Sequence, residues 1–245
     1  MKTLSILALA LIFSGRVYPA DTGAFSAANR LYSEGRFADA ATAYASILRT
    51  GAASPALDFN YGNAEFKLGH LGRAIAAYRR AALQAPRDPD VRANLEFVRN
   101  QVPGPTRRES AWSGGLGLLS LNEWTVLVAA AFWLTLIGLA AGQIRPAWQA
   151  RWRRPTLAMA ALTVAAGAAL GCQAANHFLK PVAVIVAPSA IARTGPFDGA
   201  QSAFTARDGM ELQVLDRHDD WVQVADGAGH SGWLPAAPVE ILPGA

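Results

Sequence analysis

The sequence predicts a multidomain protein made of an α-helical repeat domain, a two-helix transmembrane hairpin and a small all-β barrel, in that order. Three observations predict it: a self-similarity of period 34 in the first hundred residues, two charge-free apolar runs in the middle, and short β-rich pieces split by turn residues at the end. Composition agrees. The 245 residues are 52% hydrophobic and only 16% charged, where soluble domains are about a quarter charged, so part of the chain belongs in lipid. The single cysteine, Cys172, rules out a disulfide framework, a CxxC redox pair and a Cys-based zinc site. It lies inside an apolar run and reads as a packing residue. No Cys near the N-terminus offers a lipoprotein attachment point, so membrane association falls to helices.

Residues 1–20 read as a signal peptide. Lys2, the apolar stretch Leu4 to Phe13, Ser14-Gly15 and the small Ala20 follow the order of its three regions, and the apolar stretch is shorter than the roughly 20 residues a span requires. Cleavage after Ala20 would leave the bulky Tyr18 at a position that favours small residues. A cut after Ala24 and an uncleaved anchor are the alternatives.

Residues 21–102 form the predicted repeat domain. Gly35, Phe37, Ala40 and Tyr44 recur as Gly69, Leu71, Ala74 and Tyr78, a constant shift of 34. Gly62, Ala74 and Ala81 allow close approach of paired helices, Tyr78 fills the space between units, Gly69 supplies a positive φ and Pro86 stops a helix. The first copy is degenerate, with Ala28 and Ala52 at the matching Gly and Pro positions. Asp88-Pro89-Asp90-Val91 opens a further helix without a partner helix after it, and residues 103–121 read as a linker. Period and pattern resemble the tetratricopeptide repeat (TPR) family. Two repeats and a cap fall short of the three or so that stabilise a solenoid, so this domain is expected to lean on a partner.

The TPR resemblance implies a peptide-binding concave face. Its positions here are Phe25, Asn29, Tyr32, Asn60, Asn63, Phe66 and Lys67, with Asn94 on the cap. Family members that clamp a C-terminal carboxylate use asparagines matching Asn29 and Asn60, which here could bond a peptide backbone. The companion cations are replaced, by Phe25 at one position and Asn94 at another, so the resemblance implies no complete carboxylate clamp. The other reading makes Tyr32, Phe59 and Phe66 inter-repeat packing.

Residues 122–143 and 156–178 read as transmembrane helices, since the runs Trp124 to Gln143 and Pro155 to Leu179 carry no charge and each is long enough for a hydrocarbon core of about 30 Å. Between them, residues 144–155 hold Arg145, Arg151, Arg153 and Arg154 and no acid. A short basic connector stays in the cytoplasm, with Trp124, Trp148 and Trp152 at belt positions. Both flanking domains are then expected on the periplasmic side of the cytoplasmic (inner) membrane. Gly138/Gly142 and Gly167/Gly171 form GxxxG pairs, read as contacts with other membrane helices or as small residues common in such spans.

Residues 180–245 carry five expected strands, Val182–Val186, Glu211–Leu215, Trp221–Val224, Ser231–Leu234 and Val239–Leu242, with hairpin turns at residues 217–220 and 226–229. Arg193-Thr194-Gly195-Pro196, Asp208-Gly209, Trp221-Val222-Gln223-Val224 and Gly232-Trp233-Leu234 resemble bacterial SH3 domains. That resemblance implies an SH3-like barrel with a groove at Arg193, Trp221 and Trp233. Trp221 would pack at the barrel end and Trp233 would close it. Many such modules bind cell-wall peptides, while a docking role suits the acidic loops.

Charge divides with the domains: residues 21–108 carry 12 Lys/Arg and 8 Asp/Glu, and residues 180–245 carry 4 and 8. Opposite signs favour mutual docking or different partners over nucleic acid, which needs one concentrated basic face. The histidines His70, His177, His218 and His230 are scattered without metal-ligand spacing. No GxSxG, P-loop or dinucleotide fingerprint occurs. Neither an enzyme nor a resident cofactor or metal is expected. The order of segments resembles BatE-type proteins of bacterial aerotolerance (Bat) operons. That resemblance implies a scaffold in an envelope complex whose partners are other Bat membrane proteins bearing von Willebrand factor type A domains. A peptidoglycan-binding sensor acting through the barrel is the alternative.

Overall fold

The computed structural model describes residues 22–104, 117–144 and 146–244. The expected signal peptide, most of the linker and Arg145 lie outside these residues. Five helices come first: α1 (Thr22–Ser33), α2 (Phe37–Arg49), α3 (Pro55–Lys67), α4 (Leu71–Gln84) and α5 (Pro89–Arg99). The repeat is visible in how each hairpin is closed. Gly35 and Gly69 take φ of 76° and 81° between paired helices, a region costly for any residue with a Cβ. The Ser54 side chain accepts from Leu57 N–H at 3.1 Å and Pro55 opens α3. Asp88 caps Asp90 and Val91, with Pro89 opening α5. Tyr44 and Tyr78 are both 1% exposed, and a Cβ on Gly62 would stand 2.8 Å from the Tyr78 ring. Gly62 is thus the contact that lets α3 and α4 close.

Two long helices follow, α6 (Leu121–Ile144) and α7 (Pro146–Leu179). They pack antiparallel. The Thr135 and Thr163 hydroxyls lie 3.2 Å apart and Gly138 sits on Thr156. Both are long and apolar enough to cross a membrane, and their surfaces fit lipid: Val126, Ile137, Leu157 and Val164 are all more than half exposed, an arrangement water would oppose. The stretch 144–155, expected as a loop, is mostly helix, because Pro146 suits a first helical position and Pro155 is accommodated inside α7. Gly138 packs within the hairpin rather than on another helix, whereas Gly167 and Gly171 have no atom within 4 Å of where a Cβ would stand. Cys172 is exposed on the outside of the hairpin and is not a packing residue within the chain.

The C-terminal domain is a seven-stranded antiparallel sheet in the order β3-β2-β6-β5-β4-β1-β7. The strands are β1 (Val182–Ile185), β2 (Ser189–Arg193), β3 (Ser202–Arg207), β4 (Glu211–His218), β5 (Trp221–Ala225), β6 (Ser231–Pro235) and β7 (Val239–Leu242). It curls around one core to which β1, β2, β3, β4, β5 and β6 contribute Ile185, Ala192, Ala206, Leu212, Val224 and Leu234. Strands β2 and β3 were not foreseen. They present Ala190, Ala192 and Ala206 to the core, and alanine carries little strand signal.

The barrel docks on the helical domain. Val182, Val184 and Leu242 share a buried cluster with Ala74, Ile75, Leu95 and Val98. Around it the charges pair across the seam: Arg79 donates to Glu211 at 2.6 Å, Arg99 donates to both Glu211 oxygens at 2.6 and 3.0 Å, and Arg80 bridges Asp58 of α3 and Glu240 of β7. Gly72 N–H donates to Asp208 at 3.1 Å. Of the two outcomes expected from opposite domain charges, the structure takes mutual docking, and the short array finds its stabilising partner in the barrel of its own chain. The hairpin joins the same body. Arg87, in the turn before α5, donates to Glu123 and to the Leu118 carbonyl near the start of α6, and Gly244 N–H donates to the His177 carbonyl at the end of α7. Helical domain and barrel therefore sit together at one end of the hairpin.

Candidate binding site

Of the expected concave-face residues, the four asparagines fall into two equivalent layers. In the first, the Asn29 carbonyl oxygen accepts from the Tyr44 hydroxyl at 2.6 Å and from the Asn60 amide at 3.0 Å. In the second, Asn63 accepts from Tyr78 at 2.7 Å and from Asn94 at 3.2 Å. Every member is shifted by 34 residues. Sequence reading singled out the four asparagines but missed their pairing with the tyrosines, which the constant shift would have exposed.

Each layer fixes its asparagines and leaves part of them unused. Among the described residues, the Asn29 amide nitrogen and the Asn60 carbonyl oxygen have no hydrogen-bond partner, and the same holds for Asn63 and Asn94. Each layer thus offers one donor and one acceptor, the pair that an extended peptide backbone requires. Burial raises the Tyr44 hydroxyl to about 12, with the nearby Tyr32 adding to the shift, and pushes Tyr78 up as well. Both remain neutral donors at physiological pH.

Asn29, Tyr32, Tyr44, Asn60 and Asn63 line a half-open cavity of ≈180 Å³. That is below the roughly 300–1,000 Å³ of sites for drug-sized ligands, and it suits a stretch of backbone or one side chain. Lys67 is exposed outside the cavity. Phe25 leans on Tyr44 at a ring distance of 6.1 Å, and Phe66 stands edge-on to Phe97 at 5.7 Å, so these rings serve packing between helices. Phe97, 58% exposed, was not foreseen.

On the barrel, Arg193 pairs directly with Trp233 across β2 and β6, and Trp233 pairs with Gln223 on β5. The alternation along β5 and β6 buries Val222, Val224 and Leu234, which puts Trp221 and Trp233 on the opposite, half-exposed face. Trp233, expected to close the barrel, is not part of the buried core, to which the small strands β2 and β3 contribute Ala190, Ala192 and Ala206. Arg193 also donates to the Ala200 carbonyl at 2.9 Å, which fixes the loop beside the pair.

Of the histidines, His70 pairs with Glu65 at 2.6 Å and His230 with Asp226 at 2.8 Å. Among the described residues no group of three or more His, Cys, Asp or Glu is placed to hold a metal ion.

Residues 31–95 match the family model of the tetratricopeptide repeat, and residues 186–240 match that of the bacterial SH3 domain. No curated protein matches the chain. Both matched domains are of kinds that bind rather than catalyse, and a bacterial SH3 domain fits an extracytoplasmic location.

Proposed function

We propose that the chain is a non-catalytic scaffold of the bacterial inner membrane, with both soluble domains on the periplasmic side, and that its asparagine groove takes an extended segment of a partner protein. The observation that carries this reading is the pair of Tyr-Asn-Asn layers, each with one free donor and one free acceptor, the first layer and Asn63 of the second lining an open cavity. A domain used only for packing has no need of that arrangement. The basic connector and the N-terminal signal pattern support the orientation, and the order of segments supports a place among BatE-type proteins, with von Willebrand factor type A domain proteins of the same complex as partners.

The test is quantitative co-purification from native membranes in mild detergent. Asn60→Ala with Asn94→Ala removes the offered acceptors and keeps both Tyr-Asn bonds. Partners held by the wild type and lost by the double variant support the proposal; recovery of the wild-type chain alone sinks it.

A second reading, binding of peptidoglycan by the barrel, is favoured by the half-exposed Trp233 beside Arg193 with Trp221 on the same face. It requires retention on purified sacculi that Trp233→Ala weakens.

A further inference from the structure

The turn end of the hairpin lies opposite the end that carries the helical domain and the barrel. Counting from the Thr135–Thr163 and Gly138–Thr156 contacts, the last residue of α6, Ile144, comes level with residues 150–154 of α7. There Arg151, Trp152, Arg153 and Arg154 are all exposed. No Asp or Glu occurs anywhere from residue 124 to residue 197, so neither helix supplies these arginines with an acid. Among the described residues, none of the three forms an ion pair. Over the next two turns or so the surface becomes apolar, with Leu157 58% and Leu162 52% exposed. A cationic band directly against an apolar one is the surface complement of anionic headgroups above acyl chains, and Trp152, 49% exposed, has the amphipathic ring that settles at that boundary.

We infer that Arg151, Arg153 and Arg154 form a binding site for anionic phospholipid headgroups at the turn end of the hairpin. Guanidinium forks suit phosphate oxygens in bidentate geometry. The inference rests on α6 and α7 lying in a bilayer and is independent of what the groove or barrel binds.

The full chain in a neutral detergent is titrated with phosphatidylglycerol, phosphatidylcholine or inorganic phosphate while Tm is followed. Phosphatidylglycerol is expected to raise Tm at far lower lipid content than phosphatidylcholine. The triple variant R151Q/R153Q/R154Q should shift the phosphatidylglycerol midpoint upward by roughly 100-fold, about five-fold per arginine, and each single variant by about five-fold. Replacing all three by Lys keeps the charge but loses the bidentate fork, and should give a phosphatidylglycerol midpoint between those of the wild type and the Gln variant. Equal midpoints for the two lipids, or a midpoint that the variants leave in place, would overturn the site. Inorganic phosphate matching phosphatidylglycerol would overturn the lipid assignment.

Discussion

Arg79 of α4 and Glu211 of β4 meet at 2.6 Å with each side chain only 5% exposed, across the seam between the helical domain and the barrel. Arg99 reaches the same carboxylate from α5. One buried anion thus holds two helices of the array to the barrel. Glu211→Gln keeps the shape and leaves two cations facing a neutral amide. Breaking a buried pair on one side costs about 3–5 kcal/mol, so the variant should unfold at clearly lower urea concentration than the wild type, measured on the detergent-solubilised full chain.

The same carboxylate sets a pH dependence. Burial raises its pKa, and the Arg79 and Arg99 guanidiniums outweigh burial and hold it below the ordinary range. A depressed folded pKa gives stability that is present above the unfolded value, about 4.3 for Glu, and is lost as pH falls through the folded one. The deficit of Glu211→Gln is therefore expected to be full at pH 7 and to shrink below about pH 4.3. Unfolding curves for both proteins across pH 3–7 check this, and a deficit independent of pH would refute it.

Gly72 tests docking away from the Arg79–Glu211 ion pair. A Cβ there would lie 1.9 Å from the Ile185 carbonyl oxygen and 2.5 Å from Asp208, while the helix itself would gain up to about 1 kcal/mol from Gly→Ala. Gly72→Ala should therefore strengthen α4 and push the barrel off it. The expected readout is faster amide exchange in β1 and β7 with α4 still protected. Unchanged exchange in β1 and β7 would show that the barrel does not rest on this glycine.

What the sequence made legible was local. Gly35 and Gly69 recur at a fixed shift because each repeat closes its own hairpin, and the spans announce themselves by the absence of charge. Strands with Val, Ile or Trp were seen, and the alanine- and serine-rich β2 and β3 were not. The seam was hidden for a different reason. Arg79, Arg80, Glu211 and Glu240 look like ordinary surface residues of a helix or strand, and their partners lie 132 and 160 positions apart in the chain. Only the opposite charge of the two domains hinted at the contact. The groove fell between these cases: its asparagines could be placed by family pattern, but their bonds to Tyr44 and Tyr78 join different helices of the array.

Those bonds predict equal behaviour of the two layers. Tyr44→Phe and Tyr78→Phe each remove one hydroxyl donor from an asparagine that keeps its second donor, at a cost of about 1 kcal/mol each. Because burial, aided by Tyr32, raises Tyr44 to about 12, its contribution is complete below the unfolded value of about 10 and is lost as pH rises through about 12. Tyr44→Phe should then be less sensitive to alkali than the wild type, as read from urea unfolding at pH 9–11. Strongly unequal costs for the two substitutions would contradict the equivalence of the layers.

The two GxxxG pairs predict opposite outcomes within one hairpin. A Cβ at Gly138 would stand 2.7 Å from the Thr156 hydroxyl oxygen, while Gly167 and Gly171 face open space. Gly138→Val should force α6 and α7 apart and weaken the Thr135–Thr163 contact. Gly167→Val leaves that packing alone and should behave as wild type in the isolated chain. A disulfide engineered between Ala131 and Ala166, both buried between the helices, measures the separation: its formation should slow in Gly138→Val and hold its rate in Gly167→Val. If Gly167→Val slows it equally, the open side of α7 already carries a contact, and the free surface assigned to that glycine is wrong.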